Sequence, residues 1–157
     1  VLRQGRAPLN PEEAVALGLG HQRTGYAREV LLRLDGLPVV FARSVTAHHN
    51  ANGAWRAVQG LGSRPLADVL FKRSGISRQP LSFSCLARCS PMQRHAIKAW
   101  VNRSGARVAD TALHARKSVF MRQRASLLVM EVFIAQATRW QGRYSIETNQ
   151  PVWMELS

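Results

Sequence analysis

Acidic side chains are scarce in this 157-residue chain: 9 Asp and Glu stand against 22 Lys and Arg, a formal net charge of +13. Such an excess attracts anions, whether nucleic acid, an acidic membrane surface or a small anionic substrate. Nucleic acid is disfavoured, because the basic residues are scattered and there is no run of five, no zinc-finger spacing and no RNP-like aromatic motif. Cysteine is nearly absent. Cys85 and Cys89 are too few for a disulfide scaffold and suit a reducing compartment, so a cytoplasmic location is expected. No apolar run approaches bilayer length, and the opening residues, with Arg3 and Arg6 followed by Pro and Asn, do not read as a secretory leader. P-loop, GxGxxG, GxSxG and HExxH patterns are all missing, which leaves no motif for nucleotide, serine-hydrolase or zinc-protease chemistry. Cys85, Cys89 and His95 are poorly spaced for a metal, His48-His49 reads as a solvated loop pair, and no cofactor is implied. No repeat, linker or low-complexity segment divides the chain, whose 46% hydrophobic content suits one globular core.

What is present is a set of anion-binding groups on predicted strands. Asp35-Gly36 between two apolar, β-branched runs marks a hairpin over roughly 26–46. With a two-residue turn, Leu34 faces Leu37, and counting back sets Arg28 opposite Arg43. Side chains alternate along a strand, so Arg28, Val30, Leu32, Val39, Phe41 and Arg43 are expected on one face. Two opposed guanidiniums repel and resist desolvation, and a carboxylate ligand would relieve both problems. An exposed face or neighbouring acids would relieve them equally.

Asn10-Pro11-Glu12-Glu13 reads as a helix start with Asn as N-cap, and Gly18 and Gly20 end that helix. His48 to Asn52 reads as loop and Ala54 to Leu61 as a short helix. Ser63-Arg64-Pro65-Leu66 opens another, with Leu66, Val69 and Leu70 on one face and unpaired N–H groups in its first turn. Leu81 to Leu86 reads as a strand. Pro91 to Val101 reads as a helix with Met92, Ile97, Trp100 and Val101 as core. A second hairpin is expected from Leu113 to Met121 and Leu127 to Ile134. Its second strand is apolar apart from Glu131, which suggests burial on both faces. A carboxylate there is either a structural ion pair with an arginine or part of a site.

At these residues the chain resembles the chorismate lyase family. The matching stretches are Arg28-Glu29-Val30-Leu31-Leu32 with Asp35-Gly36-x-Pro38, then Phe41-Ala42-Arg43-Ser44-Val45 and Leu61-Gly62-Ser63-Arg64-Pro65-Leu66-Ala67-Asp68-Val69-Leu70-Phe71. Ala115-Arg116-Lys117-Ser118-Val119-Phe120 and Leu127-Leu128-Val129-Met130-Glu131-Val132-Phe133 continue the set.

The resemblance implies an α+β fold, an antiparallel sheet of about six strands with helices packed on one side. It covers residues 1–135 and leaves 136–157 as a tail of unknown role. It implies conversion of chorismate to 4-hydroxybenzoate and pyruvate for ubiquinone biosynthesis, without cofactor or metal, by a monomer with no nucleic-acid partner and no membrane insertion. Arg28 would bind the ring carboxylate, helped by the backbone N–H of Leu66. Glu131 would hydrogen-bond the ring hydroxyl, and Arg43 would sit beside Arg28. Glu131 and Arg28 are the candidate catalytic pair; whether Glu131 removes a proton or only binds stays open.

The chain departs from the family in lacking the helical segment before the first strand, in having His114 before Ala115-Arg116-Lys117-Ser118, and in having Ala135 where proline is usual. An absent helical segment would open the pocket. The competing readings are a non-catalytic effector domain of the GntR-regulator type, which shares the fold, and an inactive fragment.

Overall fold

The computed structural model describes residues 1–21, 24–34, 36–72, 74–105 and 112–134. Asp35, Ala135 and the 136–157 tail lie outside the described residues. Among the described residues seven strands form one antiparallel sheet: β1 (Arg3–Pro8), β2 (Thr24–Leu34), β3 (Leu37–Thr46), β4 (Ser77–Arg78), β5 (Ser82–Leu86), β6 (Leu113–Arg122) and β7 (Ala125–Phe133). Their order is β1-β2-β3-β7-β6-β4, and β5 shares the outer edge of β6 with β4. Five helices accompany them among these residues: α1 (Pro11–Ala16), α2 (His48–Asn52), α3 (Arg56–Gln59), α4 (Ala67–Lys72) and α5 (Pro91–Ser104). None is long and apolar enough to cross a membrane.

Local sequence explains most of these boundaries. Asn10 caps α1 through a reciprocal box with Glu13: its side chain accepts from the Glu13 N–H at 2.8 Å, and the Glu13 carboxylate accepts from the Asn10 N–H at 2.9 Å. Ser90 caps α5, Pro91 opens it, and Gly105 ends it at φ +65°. The β6–β7 turn is Gln123-Arg124, both at positive φ (+49° and +64°), the two-residue form whose twist matches a hairpin. A β-carbon at Gly25 would stand 2.5 Å from the Thr46 carbonyl oxygen, so β2 and β3 approach there only because that side chain is missing.

Several expectations shift by a turn. His48-His49 opens α2 instead of lying in a loop, and the helix expected over 54–61 shortens to Arg56–Gln59. On α5, Met92 and Trp100 are buried as expected and Ile97 is half-buried, but Val101 is exposed.

The antiparallel α+β architecture is as expected, and its helices divide between the two faces of the sheet. On one face α5 covers Phe41, Met130, Val132 and Ala115, while α1 and its flanks cover Ala27, Val45 and Leu128. On the other, α2, α3 and α4 cover Tyr26, Leu127 and Phe120 around the buried Trp55. Even- and odd-numbered β7 residues go to opposite faces, which is why that strand is apolar apart from Ser126 and Glu131.

The first hairpin corrects the expected register. Leu34 does pair with Leu37, but the ladder slips between Leu32 and Arg33: Arg33 pairs with Pro38 and Leu32 with Val40, leaving Val39 as an extra residue. This is a β-bulge. Beyond it every partner moves by one, so Arg28 faces Ser44 and Arg43 faces Glu29. A one-residue slip turns a strand's side chains over. Arg28 and Arg43 therefore point to opposite faces of the sheet, and the expected stack of two arginines does not form.

Candidate active site

A cavity of about 360 Å³ lies on the α2–α4 face. Val30, Leu32 and Ala42 on the sheet and Leu66, Leu70 and Phe71 along α4 and its entry supply apolar walls. The polar lining is sparse: Glu131, Arg116 and Ser118 in the sheet, with Arg33 and Arg78 at its ends. A mostly apolar cleft with a few convergent polar groups suits a small, flat, anionic ligand.

Arg28 and Glu131 share this face. Arg28 pairs with Ser44, which pairs with Val129; Glu131 pairs with Ala42, which pairs with Val30. The two residues thus stand on neighbouring rows, two strand spacings or about 10 Å apart across the sheet. Arg28 is 4% exposed. One terminal nitrogen, Nη2, donates to the carbonyls of Gly62 (3.1 Å) and Arg64 (2.9 Å), which pins the loop leading to Pro65 and Leu66. Its Nε is buried and has no hydrogen-bond partner among the described residues. Nor does Arg28 face any carboxylate among them. Burial pushes its pKa down, against a smaller opposing effect from Tyr26. A buried guanidinium without a counter-charge is costly, and an anion on the cavity side would remove the cost.

Glu131 is buried and clasped by Arg116 from the adjacent strand. Arg116 Nε donates to one carboxylate oxygen and Nη2 to the other at 3.2 Å, a two-point fork. The guanidinium also lies 5.6 Å from the centre of the Phe133 ring. The structural alternative considered for Glu131 is thus present, and it sits within the cavity lining. Leu66 precedes α4, in whose first turn the Asp68 and Val69 N–H groups donate to the Pro65 and Leu66 carbonyls at 3.2 and 2.9 Å.

Arg43 is elsewhere. On the α1–α5 face its Nε donates to Glu13 (2.6 Å), Nη2 to Glu13 (3.2 Å) and to the Pro8 carbonyl (2.8 Å), and Nη1 to Glu29. His95 of α5 meets the other oxygen of Glu29 at 3.0 Å. Burial works against the Arg43 charge, but Glu13 and Glu29 outweigh it and raise its pKa. Burial likewise pushes Glu29 up, and His95 and Arg43 together bring it below its ordinary value. This network ties α1, β2, β3 and α5 together, and the bulge at Val39 is what places Arg43 in it. His95 is engaged there. Among the described residues no group of three or more His, Cys, Asp or Glu side chains is arranged to hold a metal ion.

The family model described as chorismate lyase matches residues 1–143. A probable chorismate pyruvate-lyase of Albidiferax ferrireducens is 55% identical over 140 residues, spanning 89% of this chain and 71% of that protein. One from Aromatoleum aromaticum is 45% identical over 85% of this chain and 70% of its own length. The chain belongs to the chorismate lyase family.

Solved structures of similar fold include the C-terminal domain of PhnF, with TM-score 0.60 and 17% identity over 85% of this chain and 80% of that one. The ligand-binding domain of a GntR-family regulator from Bordetella bronchiseptica has TM-score 0.56 and 14% identity, over 95% and 87% respectively. At such identities these establish a shared fold. The resemblance points to Arg28, Leu66 and Glu131, while Arg116 carries no role in it. It could have been found by counting: from a Gln123-Arg124 turn, Arg122 faces Ala125 and Arg116 faces Glu131, as the structure pairs them. Gln-Arg is a poor signature for that turn, so the count had no obvious anchor.

Proposed function

We propose that this chain converts chorismate to 4-hydroxybenzoate and pyruvate, the reaction that feeds ubiquinone biosynthesis. The observation that carries the proposal is the buried Arg28, which lacks a carboxylate partner among the described residues and lies on the same sheet face as Glu131, beside the cavity that Glu131 lines. Arg28 receives the ring carboxylate, with the N–H of Leu66 assisting. Glu131, held by Arg116, accepts a hydrogen bond from the ring hydroxyl. In the reaction the ether C–O bond to the enolpyruvyl group breaks and the hydroxyl-bearing ring carbon loses its hydrogen. The proton ends on the methylene carbon of the departing group, which becomes pyruvate, and the ring becomes aromatic. Atoms and electrons balance without oxidant or metal.

Positioning and charge complementarity supply the acceleration, since aromatisation drives the step once the ligand is held. The fork of Arg116 on both oxygens of Glu131 favours a hydrogen-bonding role over that of a base, and the proton then passes within the substrate. The protein acts as a monomer in the cytoplasm.

The test is an absorbance assay for 4-hydroxybenzoate formed from chorismate, with Arg28→Ala as control. Product that disappears in the control supports the lyase and its carboxylate site. No product from a chain that melts cooperatively and is stabilised by 4-hydroxybenzoate would replace the enzyme with a binding domain.

A further inference from the structure

Chorismate carries two carboxylates, and Arg28 can serve only one. We propose that Arg78 receives the second, the carboxylate of the enolpyruvyl group, and so makes the cavity selective for a dicarboxylate over the monocarboxylate product. The inference rests on the lyase reading of the cavity. Four arginines line or adjoin it, and three are spoken for. Arg116 is forked onto Glu131, Arg28 is assigned to the ring carboxylate, and Arg33 donates to the Gly36 carbonyl of its own hairpin turn at 2.9 Å. Arg78 lines the cavity, is solvent-exposed, and has no ion pair with an acid among the described residues.

Its backbone is nonetheless fixed. Arg78 pairs with Phe120, whose side chain faces the α2–α4 side, so the register sends Arg78 to the same side. The next residue is anchored twice on β6: the Gln79 N–H donates to the Val119 carbonyl at 2.8 Å, and the Ser118 hydroxyl donates to the Gln79 carbonyl at 3.2 Å. Arg78 therefore stands at the β4 end of the cavity and Arg28 at the β2 end, four strand spacings or about 19 Å apart at the backbone. Arg28 is held at its end by the Gly62 and Arg64 carbonyls, and the exposed Arg78 side chain is long enough to reach inward from the other. With Glu131 neutralised by Arg116, the lining keeps an excess of positive charge that a dianion would satisfy and 4-hydroxybenzoate would not. One negative charge leaves with pyruvate, so the contact to Arg78 is lost with that product and the aromatic product keeps only the contacts to Arg28, Leu66 and Glu131.

The experiment compares wild type, Arg78→Ala and Arg78→Lys for chorismate turnover, for the affinity of 4-hydroxybenzoate and for that of 3-(carboxymethoxy)-4-hydroxybenzoate, an aromatic dicarboxylate. For Arg78→Ala the expected result is a kcat/KM for chorismate lowered about tenfold, carried mainly by KM, with 4-hydroxybenzoate affinity within about twofold of wild type. Lysine should restore part of the loss. An unchanged KM, or a parallel loss of 4-hydroxybenzoate affinity, would overturn the assignment. If wild type binds the dicarboxylate more tightly than 4-hydroxybenzoate without turning chorismate over, and Arg78→Ala abolishes that preference, the lyase reading falls and Arg78 stands. If wild type turns chorismate over and shows no such preference, Arg78 falls and the lyase stands.

Discussion

Replacing Arg43 with methionine keeps the length of the side chain and removes its charge from between two carboxylates. Glu13 is 1% exposed and Glu29 is 4% exposed, so neither can turn to water. Arg43 also loses its bond to the Pro8 carbonyl. Breaking a buried ion pair by deleting one partner costs about 3–5 kcal/mol, because the remaining charge stays desolvated. His95 still meets Glu29, which leaves Glu13 as the more damaging remnant. Against a total stability of about 5–15 kcal/mol, such a loss lowers the melting midpoint of a domain this size by roughly 6–20 °C. Thermal unfolding followed by circular dichroism reads this directly. Neutralising the orphaned acids in the same chain, Arg43→Met with Glu13→Gln and Glu29→Gln, should recover much of the midpoint, since uncharged polar groups are cheaper to bury than unpaired ions. Because Arg43 lies on the far face from the cavity, Arg43→Met should still be stabilised by 4-hydroxybenzoate at temperatures where it is folded. A variant with a wild-type midpoint that no longer responds to 4-hydroxybenzoate would refute this reasoning and return Arg43 to the ligand.

Arg28→Met should weaken 4-hydroxybenzoate binding by about tenfold to a hundredfold, the worth of about 1.5–3 kcal/mol for a charge-assisted contact, as read by calorimetry. Its melting midpoint should hold close to wild type, because the loss of two carbonyl contacts is offset by removing a buried charge that faces no acid; a collapse of the fold would contradict that balance. Glu29 has a folded pKa below its ordinary 4.5, so its stabilisation is complete above about that pH and is lost as pH falls through the depressed folded value. Chemical denaturation at pH 6 and pH 3 should therefore show a larger acid loss in wild type than in Glu29→Gln, and equal losses would remove Glu29 from the network. Deleting Val39, the extra residue of the bulge, lets Leu32–Val40 and Glu29–Arg43 pair straight on from Arg33–Pro38, so each side chain keeps its face and the protein should still melt cooperatively; loss of folded protein in a thermal melt would show that the local twist of the bulge is itself required.

How far the sequence alone reaches is clearest in the first hairpin. The Asp35-Gly36 signal correctly predicts that Leu34 pairs with Leu37, because turn chemistry is local. It cannot report the bulge. Val39, Val40 and Phe41 are all apolar, and a run buried on both faces carries no alternation from which a slipped register could be read. The cover on both faces is legible in β7, whose run is apolar apart from Ser126 and Glu131, which one covered face would not require. Arg28 and Glu131 could be singled out because a charge on an apolar strand is conspicuous by itself. The Glu13–Arg43–Glu29–His95 network could not be, since it joins α1, β2, β3 and α5 and no sequence spacing encodes which helix crosses which strand. In the sequence Glu13 reads only as part of a helix start; its place in the capping box and its pairing with Arg43 come from the structure.

The alternation of β3 past the bulge has a practical meaning for protein engineering. Phe41, Arg43 and Val45 face the helices that hold the molecule together, while Ala42 and Ser44 share the surface that carries Arg28 and Glu131. Within five consecutive residues, odd positions form an alphabet for thermal tolerance and even positions one for ligand preference. Mutational libraries drawn from the two sets should combine nearly independently, apart from pairs that touch through the backbone. A search for altered substrates could then vary Ala42 and Ser44 on a background first hardened at Phe41 or Val45.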